Sequence, residues 1–209
     1  MEGPIADEFT EAAAWLVSLV SQVPDDAWER HGLGVWDVRS LVGHAARALA
    51  TVEDYLAAPA QQIDVSRALD YLSGAASAPP EAIAARGVAA GEALGSDPLA
   101  RVTALAERAT ALVASSPPEA LLSTIAGGMT LEAYLPTRMV ELIVHGCDLA
   151  SALGLAAAPP EAPAQATARL LLEVQLLQGS HAALLLALAG RPIAEEGLSI
   201  WPSESFSSH

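Results

Sequence analysis

The chain has 209 residues, 52% hydrophobic and 17% charged, enough length and apolar material for one domain, or a little more, around a real core. Ten arginines, no lysine and 25 acidic residues leave a formal net charge of −15. That balance argues against nucleic acid and against an anionic membrane as partners, because both require a basic footprint. The single cysteine, Cys147, excludes an intrachain disulfide and points to a reducing, cytoplasmic setting. The N-terminus is acidic, with no basic stretch ahead of an apolar run, so it does not read as a signal peptide. The most apolar runs, at 170–177 and 182–189, are interrupted by Glu173, Gln175, Gln178 and His181, which leaves no membrane span of about 20 residues.

Alanine and leucine dominate, and both are strong helix formers. A first helix is expected over residues 7–21, ending before Pro24. Residues 23–35, with Pro24, Gly32 and Gly34, read as a loop. The second helix starts at a candidate N-cap, Asp37. It carries Val38, Leu41, Val42, Ala45, Leu49, Val52 and Leu56 at helical period and ends near Ala58, before Pro59. Residues 60–118 hold five prolines, with short helices expected at 63–72, 81–93 and 99–114. Asp97-Pro98 fits the start of the last of these.

Ala126-Gly127-Gly128 reads as a loop leading into a long helix over 131–153. Pro136 marks that helix's first turn or a kink, and Gly154 is its stop. Residues 157–163 read as a linker. One or two closing helices follow over 165–189, broken near Gly179-Ser180, and the last residues are expected to be frayed. With no strand signal, the economical architecture is all-α: an antiparallel four-helix bundle with extra short helices over 1–192 and a C-terminal tail at 193–209.

One helix face carries chemistry. Leu135, Met139, Leu142, Gly146, Leu149 and Leu153 make the apolar stripe of the long helix. Glu141, His145 and Asp148 align along one flank of that stripe, with Arg138 at its edge. His44 holds an analogous flank of the second helix, beside the small residues Gly43, Ala45 and Ala48. If the two flanks face each other, His44, Glu141 and His145 form a His₂Glu set, a zinc pattern that leaves a fourth position open. Spacing alone also fits a satisfied, half-buried Glu–His pair or a surface i,i+4 pair. Asp148 is better placed to hold the free ring nitrogen of a histidine than to bind a metal, and Arg138 to receive a substrate carboxylate. His31, His181 and His209 read as non-ligands, and Cys147 as an inert packed thiol. Tyr55 and Tyr134 fit either core edge or pocket wall. There is no phosphate-binding glycine loop, nucleophile elbow, CxxC or H-E-x-x-H.

Three stretches resemble a known family. WDVRSLVGHAA (36–46) is similar to the segment around the first metal histidine of the mycothiol-dependent maleylpyruvate isomerase N-terminal family, a DinB-like branch. YLPTRMVELIVHGCDLASALG (134–154) resembles its E-x-x-x-H-x-x-D helix, and ALLLALAGRP (183–192) its Gly-Arg ending. The resemblance implies that His44, Glu141 and His145 hold a divalent metal, zinc by preference, with nickel or another ion as alternatives. Asp148 stands at the family's acidic position; with Arg138, read as a carboxylate receiver, it is expected to take a catalytic role. It further implies a low-molecular-weight thiol cosubstrate such as mycothiol, added to a small electrophilic substrate in a transferase or isomerase. A hydrolase using bound water and a non-catalytic regulatory bundle are the alternatives. The full-length isomerases carry a further C-terminal domain, and only 193–209 follow the Gly-Arg element here, so the acceptor is left open. Monomer and homodimer both fit.

Overall fold

The computed structural model describes residues 4–75 and 79–193. The described chain is an all-α bundle with two small hairpins. In order it contains α1 (Pro4–Val20), β1 (His31–Leu33), β2 (Trp36–Asp37), α2 (Val38–Leu56), α3 (Ala68–Ala75), α4 (Pro80–Glu92) and α5 (Pro98–Ser115). Then come β3 (Leu121–Thr124), β4 (Gly127–Thr130), α6 (Leu131–Ala152), α7 (Glu161–Leu177) and α8 (His181–Leu188).

Four helices make the bundle. α1 packs on both α5 and α6, and α2 packs on the same two from the other side. The core between them is leucine-rich, with Leu16, Leu41, Leu49, Leu135, Met139, Leu142 and Leu149 fully buried beside Phe9 and Tyr134. α4 lies against α2, while α3 and α7 cover α6. The α2 stripe read from the sequence is buried from Val38 to Val52, which is what its helical period requires. No helix among the described residues is long and apolar enough to cross a membrane.

The expected all-α bundle carries, in addition, two hairpins for which the sequence holds no strand signal. β1 pairs antiparallel with β2 inside the expected loop 23–35 and just beyond it, and β3 pairs with β4 where Ala126-Gly127-Gly128 was read as a plain loop. With two to four residues each, these strands are too short to show an alternating pattern. Both have a structural task. β2 ends at Asp37, whose Oδ1 accepts the Ser40 amide at 2.7 Å and caps α2. β4 ends at Thr130, whose Oγ1 accepts the Ala133 amide at 3.3 Å and caps α6. The hairpins therefore set where the two longest helices begin.

The starts of α3 and α7 also differ from expectation. α3 starts at Ala68 rather than 63. The Asp64 and Val65 amides donate instead to the Gly128 carbonyl, at 2.8 and 3.0 Å, and the Gly128 amide donates to Asp64 Oδ2 at 2.8 Å. A Cβ on Gly128 would lie 1.9 Å from the Gln62 carbonyl oxygen, so only glycine admits this crossing. Pro136 sits in the second turn of α6, past the capped first turn. The linker expected at 157–163 is shorter, because α7 already starts at Glu161 with Pro163 buried inside it. Gly154, at φ +68°, stops α6 as expected. The tail from 194 onward, expected to be frayed, lies outside the described residues.

Candidate metal centre

α2 and α6 cross with the two predicted flanks facing. His44 Nε2 lies 3.4 Å from Glu141 Oε2, and His145 Nε2 lies 3.3 Å from the same oxygen. One nitrogen or oxygen from each of the three residues falls within 4.8 Å of the others. A tetrahedral ion with bonds of ~2.0–2.1 Å needs donors about 3.3–3.4 Å apart, so the two edges that meet at Glu141 already have that length. The donor set suits the ion in chemistry as well: two imidazoles and one carboxylate, without a competing lysine.

The surroundings orient the donors. Asp148, one turn further along α6, accepts from His145 Nδ1 at 3.0 Å. A proton held on Nδ1 leaves the Nε2 lone pair directed at the site. The Trp36 ring lies 4.5 Å from the His44 ring at 31° and 6.2 Å from the His145 ring at 73°. Its indole N–H donates to the Ala84 carbonyl of α4 at 3.0 Å, which fixes the plane of this wall. His44 Nδ1 is buried with no hydrogen-bond partner among the described residues. His44 therefore gains nothing from protonation on that side.

The protonation states follow from burial and partners. Burial pushes the His44 pKa below its ordinary value, and the Glu141 hydrogen bond only partly restores it. Burial acts the same way on His145, but the Asp148 and Glu141 hydrogen bonds outweigh it and raise the pKa to about 9. Glu141 is partly buried, which raises its pKa, yet its bonds to His145 and His44 hold it well below the usual carboxylate range. The centre thus combines an ionised carboxylate, a neutral imidazole and an imidazole that carries a proton near neutral pH. A cation held by these residues would have to displace that proton.

The other expected residues fall as follows. Arg138, expected at the edge of that flank, is buried, with Nε donating to Thr137 Oγ1 at 3.1 Å. Its guanidinium carbon lies 4.7 Å from the Tyr134 ring centre and 5.6 Å from that of Tyr71. Tyr134 is fully buried, donates to Thr51 Oγ1 at 2.9 Å and lies 5.6 Å from the Tyr55 ring. Cys147 is half-buried, and burial and Asp148 raise its thiol pKa, which suits packing rather than nucleophilic attack. His31 Nε2 lies 3.0 Å from the Gly34 carbonyl and His181 Nε2 3.0 Å from that of Leu176, neither in the cluster. His209 lies outside the described residues.

Sequence reasoning missed Trp36 as a wall of the centre and Tyr71 as a neighbour of Arg138. Trp36 directly precedes the cap Asp37, and an aromatic at that place in a helix start was the available signal. Tyr71 gave none, because only the fold brings α3 to α6.

A family model described as the Mycothiol maleylpyruvate isomerase N-terminal domain matches residues 9–150, more than half of the chain and a span that includes all three clustered residues. The chain belongs to that family. No curated protein and no solved structure matches it.

Proposed function

We propose that this member of the family is a divalent-metal protein, zinc by preference, in which His44, Glu141 and His145 hold the ion. On this reading it activates a low-molecular-weight thiol such as mycothiol for addition to a small electrophilic substrate. The observation that carries the reading is the convergence of two imidazole nitrogens on one Glu141 oxygen at 3.3 and 3.4 Å. Zinc on such a donor set supplies an open position that favours loss of a proton from a bound thiol or water.

The chain's own groups have separable tasks. Asp148 fixes the His145 tautomer through the 3.0 Å contact at Nδ1 and so keeps Nε2 turned to the ion. Trp36 covers one side of both imidazoles and limits the approach of water. Arg138, cationic and stacked between Tyr71 and Tyr134, attracts the carboxylate of Glu141 or of a substrate from within the bundle. A cytoplasmic setting, a transferase or isomerase outcome and the catalytic roles of Arg138 and Asp148 are parts of the same proposal. Water in place of thiol would make the same centre a hydrolase.

The test is metal content after purification without added metal, for the wild type and for His145→Ala, followed by thiol titration of cobalt-substituted protein. Near-stoichiometric metal that disappears in the variant, with a thiol-dependent absorption band, supports the proposal. Metal without any thiol band moves it to the hydrolase reading. A wild type that stays metal-free after zinc is supplied sinks both.

A further inference from the structure

We propose that the cleft between α2, α4 and α5 is a binding site for a small multivalent anion, a phosphate ester or a polycarboxylate, held by Arg47, Arg86 and Arg101. The cleft encloses about 300 Å³, at the small end of ligand pockets. Gly43, Ala46, Ala90 and Leu94 supply its apolar part, and among the described residues three arginines are its charged lining. Each of the three helices contributes one: Arg47 from α2, Arg86 from α4 and Arg101 from α5.

The distribution of charge makes this cleft unusual within the molecule. The chain has ten cations against 25 acidic residues. Three of the other arginines pair with carboxylates: Arg30 with Asp26, Arg67 with Asp70, and Arg108 with Glu53. Three more donate to a carbonyl or amide oxygen, namely Arg39 to Gly95, Arg169 to Gln165 and Arg191 to Ala189. Arg138 donates to Thr137 and stacks on two tyrosines. Among the described residues, the guanidinium groups of Arg47, Arg86 and Arg101 have neither an ion pair nor a hydrogen bond.

Three like charges around one cleft repel, and with acid in such excess a carboxylate could easily have been set among them. Their forks instead remain free to take oxygens from a ligand, and a guanidinium matches the oxygen spacing of a phosphate or carboxylate. The overall charge of −15 repels anions in general, so attraction confined to one concave site favours a compact ligand over a polyanion such as nucleic acid.

The small-residue floor has a structural origin that leaves room for the ligand. A Cβ on Gly43 would lie 2.2 Å from the Gly91 backbone nitrogen, so α2 and α4 touch along their backbones at one edge. The arginine side chains, not the helix axes, therefore form the rim. His44 follows Gly43 in sequence but is absent from the cleft lining. The Arg47 charge is felt at His44, whereas Arg86 and Arg101 are not among the charges acting on it, so substitutions at those two test the cleft apart from the function proposed for the metal centre.

The experiment is calorimetric titration of the full chain with inorganic phosphate and, separately, with succinate, at fixed ionic strength. Both probes belong to the proposed ligand class, and the arginine variants distinguish binding in the cleft from coordination at a metal. Wild type, Arg86→Ala, Arg101→Ala and the control Arg169→Ala are compared. Arg86, Arg101 and Arg169 are all exposed, so the folds persist, and thermal melts check this. Saturable binding of one anion per chain is expected, weakened about tenfold by each cleft substitution and unchanged in the control. Saturation by phosphate alone identifies a phosphate ester, by succinate alone a polycarboxylate, and by both a site read by charge. Failure of both probes to saturate overturns the proposal, as does equal weakening by Arg169→Ala or equal affinity in the cleft variants. Metal content, measured in parallel, reports separately on the metal centre.

Discussion

The helices that carry the metal centre and the helices that close the chain differ in how they begin and in what they bury. α2 and α6 each start at a capping side chain placed by a hairpin, and most of α6 lies in the core. α7 and α8 start at Pro160 and Ser180 without a side-chain cap, and no residue of α8 is buried. Leu177, Leu185 and Leu188 are 63%, 68% and 75% exposed. A cap is worth about 1 kcal/mol and fixes the first turn, so it also sets the rotation at which His44, Glu141 and His145 arrive. Helices that hold donors within tenths of an ångström need that determination. A helix that only covers the outside does not.

The comparison can be sharpened first by pH. Because burial keeps His44 neutral while its partners raise His145 to about 9, one proton competes with the metal below that value. Metal affinity should weaken by about tenfold per pH unit, hence roughly a hundredfold from pH 8 to pH 6, as read by competition with a chromogenic chelator. The metal-free protein carries the opposite sign. The raised His145 pKa contributes stability that is complete below its ordinary value of 6.5 and is lost as pH rises through about 9. Melting of the metal-free protein should therefore move to lower temperature over that window, and a flat profile would contradict the assignment.

Next in size is Asp148→Asn. Loss of the carboxylate that holds His145 Nδ1 should weaken metal binding by about 10- to 100-fold and move the pH midpoint downward, because one of the groups raising the His145 pKa is gone. Unchanged affinity would mean that Asp148 orients nothing. Gly43→Ala probes packing instead of ligation. Its new methyl meets the Gly91 backbone, which cannot rotate away, and about 1–3 kcal/mol of stability should be lost in chemical denaturation. The smallest effect belongs to the other region. Leu188→Ser on α8 should change stability by no more than about 0.5 kcal/mol, since its side chain is already largely in water. A larger loss would show that α8 contributes to the fold as α2 and α6 do.

The same contrast explains what could be read from the chain. Caps and stripes are local, so Asp37, Asp97 and Gly154 announced helix ends, and the α2 core face followed from its period. Glu141 and His145 were legible as one helix face, because i and i+4 must share it. Their meeting with His44 needed the crossing of α2 and α6, which spacing within one helix does not encode. The late start of α3 was illegible for a similar reason. Residues 63–67 have no local bar to a helix, but hydrogen bonds from 64 residues away at Gly128 claim their backbone first. Arg138 read as an edge residue because its aromatic partner Tyr71 comes from another helix. The hairpins were missed because strands this short carry almost no pattern.

The placement of the arginine cleft on α2, α4 and α5 has a consequence for the order in which the molecule is made. Its lining runs from Gly43 to Leu105, whereas the metal centre waits for Glu141 and His145. A nascent chain that has just completed α5 at Ser115 holds every residue of the cleft and one metal donor of three. During synthesis, a small anion thus has its whole set of partners before a metal ion has more than a single histidine.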